Sequence, residues 1–530
     1  MKFEFGFFVH VSCKKMKKHV LFIKHTLIFI SIIIVGCSNI NDESRLTIAI
    51  SADIRGFDPA MASDIRTGEV ISLVYDHLVR FGNGTELLPS IAKDWSVSED
   101  GCTYVFLLDP SARFHDETYI SAQDVIFSIK RVLDPSGQSP QTWLFDRIVG
   151  AKKFLEGQTK EIGGLEAIND YTLRIEINKP FAPFLQYLAM PSAAIVNPSK
   201  SDKIRNFPAG SGPWKLDYWE KDGELVFLRN DDYWGNRPKM TGLKIRILTE
   251  VLTRSAEFEV GNLDIFNIPA IEMLQWRQKK EWKDKIFSID DLNIWYIAMN
   301  CSRPPFDDIR VRKAMNLSLD REKILKLLLA DTGILASGPV PPLLLKGSPP
   351  DPYPYDPLRA IELLKNAGYD NGFQTKLWAA GGSEIFHVLE AFQSYWGAIG
   401  IEIEIMRSDW NVFKTAVRAG RPDLYYLDWF ADYPDGENFL FPLFHSSESM
   451  TKRNRYRNPE VDDLIERIQL LQNSSQRDSL IERTNRVIFN EAPWVFLWHG
   501  QTNVVTQLKI TGYVPKLIFN SERYADIIRE

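Results

Sequence analysis

Asp432 stands in the stretch of this sequence most suggestive of chemistry, Trp429-Phe430-Ala431-Asp432-Tyr433, with Phe439 close behind. A carboxylate crowded by aromatic side chains loses its water and needs a cation in exchange. The ammonium of a free peptide N-terminus is one such cation. The same residues also fit a turn cap before Pro434, or a carboxylate that faces solvent, and spacing alone leaves all three open. Motifs for covalent chemistry are missing: the chain has no HExxH, no GxSxG elbow and no Walker A loop. The Gly82–Gly84 and Gly210–Gly212 pairs lack the third glycine of a dinucleotide fingerprint. Beyond residue 36 the histidines are His77, His115, His387, His445 and His499, and no two are three or four apart. No helical metal pair is therefore expected, and neither a metal nor a cofactor. Carboxylates are plentiful, but sequence cannot pair them into a glycosidase dyad. These absences favour a binding protein over an enzyme.

Cys37 is the second candidate for chemistry. It closes the apolar run His25–Cys37, which follows Lys14, Lys15, Lys17, Lys18 and Lys24. A basic segment followed by roughly 7–15 apolar residues reads as a signal peptide, and spanning a bilayer takes about 20. Ile34-Val35-Gly36-Cys37 resembles a bacterial lipoprotein box, which predicts removal of residues 1–36 and lipidation of Cys37. The acid and aromatics of residues 1–15 fit this poorly, so Met16 is the expected start of the signal. Residues 1–36 carry six lysines and one glutamate, leaving 57 basic against 68 acidic side chains, a net charge of −11. An acidic body argues against nucleic-acid binding. The expectation is a monomeric acidic body tethered by lipid to the outside of a membrane. Cys102 and Cys301 fall in two distant expected strands and read as two buried free thiols.

The 530 residues are 45% hydrophobic and 25% charged, an ordinary globular balance that allows two to four domains. Alternation predicts a strand at Arg45–Ser51, and Tyr104–Leu108, Leu173–Ile177, Leu225–Leu228 and Leu243–Leu248 also read as strands. Apolar runs predict strands at Ile294–Met299 and Trp494–His499. Helical spacing marks Gly68–Arg80 and Ser121–Leu133, the latter with Ser121 as N-cap and Asp124 three residues on. Arg310–Leu319, Arg321–Ala330, Pro357–Ala367, Ile385–Ile399, Val461–Gln472 and Ser479–Asn490 read as helices. Gly368 and Gly400 stop two of them. Thr375–Ala379 and Ile401–Met406 read as strands, and the strand–helix–strand order around them predicts an α/β lobe. Asp331–Tyr355, rich in Gly and Pro, reads as a long irregular loop.

Five segments in order resemble the peptide-binding family (family 5) of extracellular solute-binding lipoproteins of ABC transporters. They are Ile91–Val132 (IAKDWSVSEDGCTYVFLLDPSARFHDETYISAQDVIFSIKRV), Gly210–Pro238 (GSGPW to LRNDDYWGNRP), Phe306–Ile324 (FDDIRVRKAMNLSLDREKI), Tyr355–Phe373 (YDPLRAIELLKNAGYDNGF) and Asp423–Phe444 (DLYYLDWFADYPDGENFLFPLF). Glu117-Thr118 departs from the family, which usually has Gly after that Asp. The resemblance implies a two-lobed α/β periplasmic-binding-protein fold, type II, class C, with an extra domain inserted in the first lobe. Residues 45–75, 200–295 and 501–530 would form lobe I, residues 76–199 the insert and residues 296–500 lobe II. The strands at Ile294–Met299 and Trp494–His499 fall where the chain would cross between lobes.

The resemblance also assigns roles. Asp432 matches the aspartate that holds the peptide's amino group in the same W-x-A-D-Y context, beside Trp429. The backbone of Asp428 and Phe430 on one lobe, and of Ser63, Asp64 and Ile65 on the other, would bond to an extended peptide as an added strand. Where an oligopeptide-binding relative has an arginine for the ligand carboxylate, this chain has Tyr426, so that carboxylate needs another partner. The expected function is a lipid-anchored receptor, in the bacterial periplasm or on the outer cell surface. It would capture short oligopeptides between its lobes and deliver them to a membrane permease driven by ATPase subunits. The alternatives are an exported hydrolase, peptidase or glycosidase, using the same cleft, and a carrier of haem or a metal chelate on the same fold.

Overall fold

The computed structural model describes residues 44–208, 210–448, 454–472 and 474–530. The expected signal peptide and Cys37 lie outside the described residues. The first lobe begins with β1 (Arg45–Ile50), whose alternating burial matches its alternating sequence. Helix α1 (Ile65–Val74) follows, started by Asp64, which accepts the Thr67 N–H at 2.9 Å. Strands β2 (Val79–Phe81) and β3 (Leu87–Pro89) pair as a short ribbon. The insert is built on β4 (Ala92–Val97), β5 (Thr103–Leu108), β6 (Leu165–Asn169) and β7 (Thr172–Glu176), a sheet in the order β4-β5-β7-β6. Helix α2 (Ala122–Leu133) covers it and carries the expected capping box, with Asp124 accepting the Ser121 N–H at 2.8 Å. The chain then returns to complete the first lobe with β8 (Trp214–Glu220), β9 (Glu224–Arg229) and β10 (Gly242–Ile247), ordered β1-β10-β9-β8. Helix α3 (Val251–Glu259), β11 (Ile265–Ile268) and β12 (Ile286–Asp290) end this passage.

The second lobe opens with β13 (Asn293–Met299), which is buried along most of its length. Helices α4 (Ile309–Leu317) and α5 (Arg321–Leu328), strand β14 (Gly333–Leu335) and helix α6 (Pro357–Asn366) follow. The α/β unit is β15 (Phe373–Ala379), α7 (Ser383–Gly397) and β16 (Ile401–Arg407), with β15 and β16 parallel. Gly368 (φ 87°) and Gly400 (φ 86°) take the left-handed conformation that ends the helices before them. Then come α8 (Trp410–Arg418), β17 (Leu424–Phe430), α9 (Glu437–Phe444), α10 (Pro459–Leu470) and α11 (Ser475–Glu491). Strand β18 (Trp494–Thr506) joins the lobes: up to Gly500 it pairs with β13 and β14, and from Gln501 with β12 and β11. The chain ends with the small β19 (Ile510–Thr511) and β20 (Ile528–Arg529) pair in the first lobe. The result is a two-lobed α/β fold with an insert in the first lobe. Among the described residues no helix is long and apolar enough to cross a membrane.

Four expectations are corrected. The helix expected at Gly68–Arg80 starts earlier and stops at Val74. Asp76 is drawn out of the helix by the Arg523 guanidinium and the Tyr233 hydroxyl, so tertiary pairing overrides local periodicity. The loop Asp331–Tyr355 contains β14, which pairs with β18 despite its glycine. The last strand runs past His499 to Thr506, because the polar side chains of Gln501, Thr502 and Asn503 find partners on Asp290, Asp291 and Ser288. Cys102 and Cys301 are free thiols, but both are only partly buried.

Candidate functional site

Strand β17 is the element that matters most. It pairs along its whole length with β13, from Asn293↔Phe430 to Met299↔Leu424. On its other side β15 reaches only Leu424 and Tyr425. The Ala431 N–H donates to the Leu292 carbonyl at 2.9 Å, and the Asp423 carbonyl accepts from Asn300 at 2.9 Å. Odd-numbered residues of this strand therefore spend their backbone groups on β13. The backbone N–H and C=O of Asp428 and Phe430 face the opposite, uncovered edge. An open edge of this kind is a template for one more strand.

Past the strand the chain turns sharply, and the turn is held from below. The Asn438 side-chain oxygen accepts the Asp432 N–H at 3.0 Å and the Trp429 indole N–H at 3.2 Å. Asp435 accepts the Glu437 N–H at 2.8 Å and pairs with Arg477 at 2.8 Å, both side chains being about 5% exposed. Glu437, fully buried, takes hydrogen bonds from Tyr433 (2.5 Å) and Gln469 (2.6 Å). Asn438, Asp435 and Glu437 are thus engaged from within the protein, and the turn they hold presents the Asp432 carboxylate. Asp432 has no cationic partner among the described residues; burial lifts its carboxyl to about 6, and a hydrogen bond from Asn438 opposes the rise.

Asp432 opens into a cavity of about 690 Å³ between the lobes. Ser63, Asp64, Ile65, Trp429 and Asp432 all line it, so residues nearly 370 positions apart in the sequence meet in one space. Phe430 lines an adjoining cavity of about 400 Å³, with Ile65 and Phe519 common to both. The Asp64 carboxylate is occupied: it caps α1 and pairs with Arg55 at 3.2 Å. Two sequence-predicted residues line neither cavity by side chain. Asp428 has its carboxyl raised to about 6 by burial. Tyr426 is 7% exposed and stacks on Trp295 with ring centroids 5.7 Å apart.

Other residues escaped the sequence reading. Asn438 holds the turn, and its signal was faint: a lone amide just inside an apolar helix. Trp143, Arg147 and Tyr187 reach the cavity from the insert. Tyr187 packs edge-on to Tyr433 at 5.1 Å, with the two hydroxyls 3.5 Å apart. No periodicity announces such contacts, because they are made between domains. No histidine or cysteine lines the cavity among the described residues.

Residues 86–451 match the family described as bacterial extracellular solute-binding proteins, family 5 middle. The chain is 29% identical over 487 residues to heme-binding protein A of Haemophilus influenzae, covering 87% of this chain and 88% of that one. It is 27% identical over 487 residues to the dipeptide-binding protein of Escherichia coli, covering 87% and 90%. Among solved structures, the ABC transporter-associated periplasmic binding protein DppA from Helicobacter pylori, in complex with peptide STSA, superposes with a TM-score of 0.78. That pair is 26% identical, over 93% of this chain and all of that one.

Proposed function

Since the chain belongs to the bacterial extracellular solute-binding proteins of family 5, we propose that it is the receptor of an ABC importer for short peptides with a free amino terminus. The carrying observation is the Asp432 carboxylate, partly buried, presented to an interlobe cavity and unpaired with any cation among the described residues. A peptide ammonium would supply the missing charge. The peptide backbone would then run along the open edge at Asp428 and Phe430, opposite Ser63–Ile65. Ordinary residues suffice there, because main-chain bonds read no side chain. The lobes, divided near residues 295 and 500, would close on the ligand by a hinge motion, and the closed form would dock on a permease. Lipid attachment at Cys37 would keep the receptor at the membrane surface. The similarity to proteins named for dipeptide and peptide complexes supports a peptide. The similarity to a heme-binding protein favours a haem carrier as the second reading, although among the described residues the cavity offers no histidine or cysteine for the iron.

Mild purification, denaturation and mass spectrometry of released small molecules is the test. Short peptides with free N-termini are expected. A tetrapyrrole, seen also as a Soret band, would replace the peptide reading with the haem one. Turnover of peptides or glycans by the pure protein would establish a hydrolase instead.

A further inference from the structure

Asp432 is not the only unmatched charge in its cavity. Arg147, between the insert's α2 and β6, lines the same space. Its backbone carbonyl accepts two hydrogen bonds from Asn178, from the backbone N–H and from the side-chain amide, each at 2.9 Å. Its guanidinium lies over the fully buried ring of Phe181, 4.0 Å from the centroid. The side chain is therefore positioned from both ends, yet the guanidinium has no hydrogen bond or ion pair among the described residues. Asp146, the adjacent acid, feels its charge without pairing with it. The other cation lining the cavity is Arg418, at the end of α8, which is exposed. A partly buried, stacked arginine is the better carboxylate receptor, since exposed pairs contribute little.

We propose that Arg147 receives a carboxylate of the bound peptide, so that the site selects ligands carrying both an ammonium for Asp432 and a carboxylate for Arg147. This rests on the peptide reading above and narrows it to a zwitterionic class. Two sources share the chemistry: the peptide's own C-terminus, and an acidic side chain. Strand β17 offers no competing cation, because Leu424–Phe430 carries no lysine, arginine or histidine.

Calorimetry with dialanine, trialanine, their C-terminal amides and Glu-Ala-amide separates the cases. The unaltered protein is expected to bind at least one carboxylate-bearing ligand about thirtyfold more tightly than its uncharged counterpart. Preference for free dialanine or trialanine over the amides identifies the C-terminus; preference for Glu-Ala-amide over Ala-Ala-amide identifies the side chain. Arg147→Gln should erase whichever preference is found, Arg147→Lys should retain part of it, and Arg418→Gln should leave it within about threefold. No carboxylate preference in the unaltered protein, or one that survives in Arg147→Gln, overturns the proposal while peptide binding itself stands. Failure of every peptide to bind the unaltered protein overturns the peptide reading and takes this proposal with it.

Discussion

At the scale of single residues, Asp432 costs the empty protein stability. Its carboxyl is raised to about 6 from an ordinary 3.8 because ionisation inside the cleft is paid for by no cation. Asp432→Asn keeps the shape and removes the charge. Its melting temperature without ligand is therefore expected to equal or exceed that of the unaltered protein at pH 7.5. Peptide affinity should nevertheless fall by about two to three and a half decades, the equivalent of about 3–5 kcal/mol for a buried charge losing its partner. A drop in both quantities would mark Asp432 as structural. The same residue sets a pH dependence. In the free protein the carboxyl takes up a proton as pH falls through about 6, whereas an ammonium ligand holds it ionised. Binding below pH 6 must then expel that proton, so affinity should weaken by up to about tenfold per pH unit there and level off above about 7. Calorimetry from pH 4.5 to 8 checks this, and Asp432→Asn should flatten the curve.

At the scale of elements, the site depends on how the turn after β17 is tied to α11. The tie is the buried Arg477–Asp435 pair, and Arg477 also donates to the Ile468 carbonyl at 3.0 Å. Arg477→Met leaves the Asp435 charge buried and alone, which should cost about 3–5 kcal/mol in urea denaturation. Adding Asp435→Asn, which can still accept the Glu437 N–H, should recover much of that loss. Full additivity in the double variant would show that the pair acts through something else. The elements themselves were readable where sequence and environment agree. Ser121 and Asp124 announce α2, Gly368 and Gly400 announce helix ends, and the apolar run at Ile294–Met299 announces the buried β13. Legibility failed where partners come from far along the chain. Asp76 leaves the helical pattern for Arg523, 447 residues away, and β14 becomes a strand only because β18 lies beside it. The candidate site divides in the same way. Asp432 and Trp429 stand out by their local company, while Arg147, Tyr187 and Asn438 acquire their positions from packing between domains. Tyr426 acquires its neighbour Trp295 through the pairing of β17 with β13, which the local sequence does not show.

At the scale of the whole molecule, the insert and the second lobe share one apolar core, in which Phe184 and Tyr187 meet Tyr433 and Phe439. The first lobe has a core of its own around Phe57, Trp214 and Phe227. The covalent connections between lobes run through Asp290–Asn293 and Gly500–Asn503, which are laced together by side chains. Gln501 donates to Asp290 at 2.7 Å, Thr502 to Asp291 at 2.8 Å, and the Gly500 N–H to the Asn293 side chain at 2.6 Å. Burial raises the Asp291 carboxyl to about 7, with the Thr502 hydrogen bond opposing the rise; Glu522, in the same 400 Å³ cavity, is raised to about 7 as well. Unfolding returns both to ordinary carboxylate values. Between roughly pH 4 and 7 the folded protein thus holds more protons than the unfolded chain at these two sites, and stability must fall as pH rises through that window. Each group contributes at most about 1.4 kcal/mol per pH unit, less to the extent that solvent reaches it. Asp291→Asn keeps an acceptor for Thr502 and cannot ionise. It should raise the melting temperature at pH 8, leave it nearly unchanged at pH 4.5, and reduce the slope between them. Thermal melts of both proteins across that range decide the matter. Equal slopes would mean that Asp291 is solvated, and that the crossover is held by its uncharged bonds, Asn293 to Gly500 foremost.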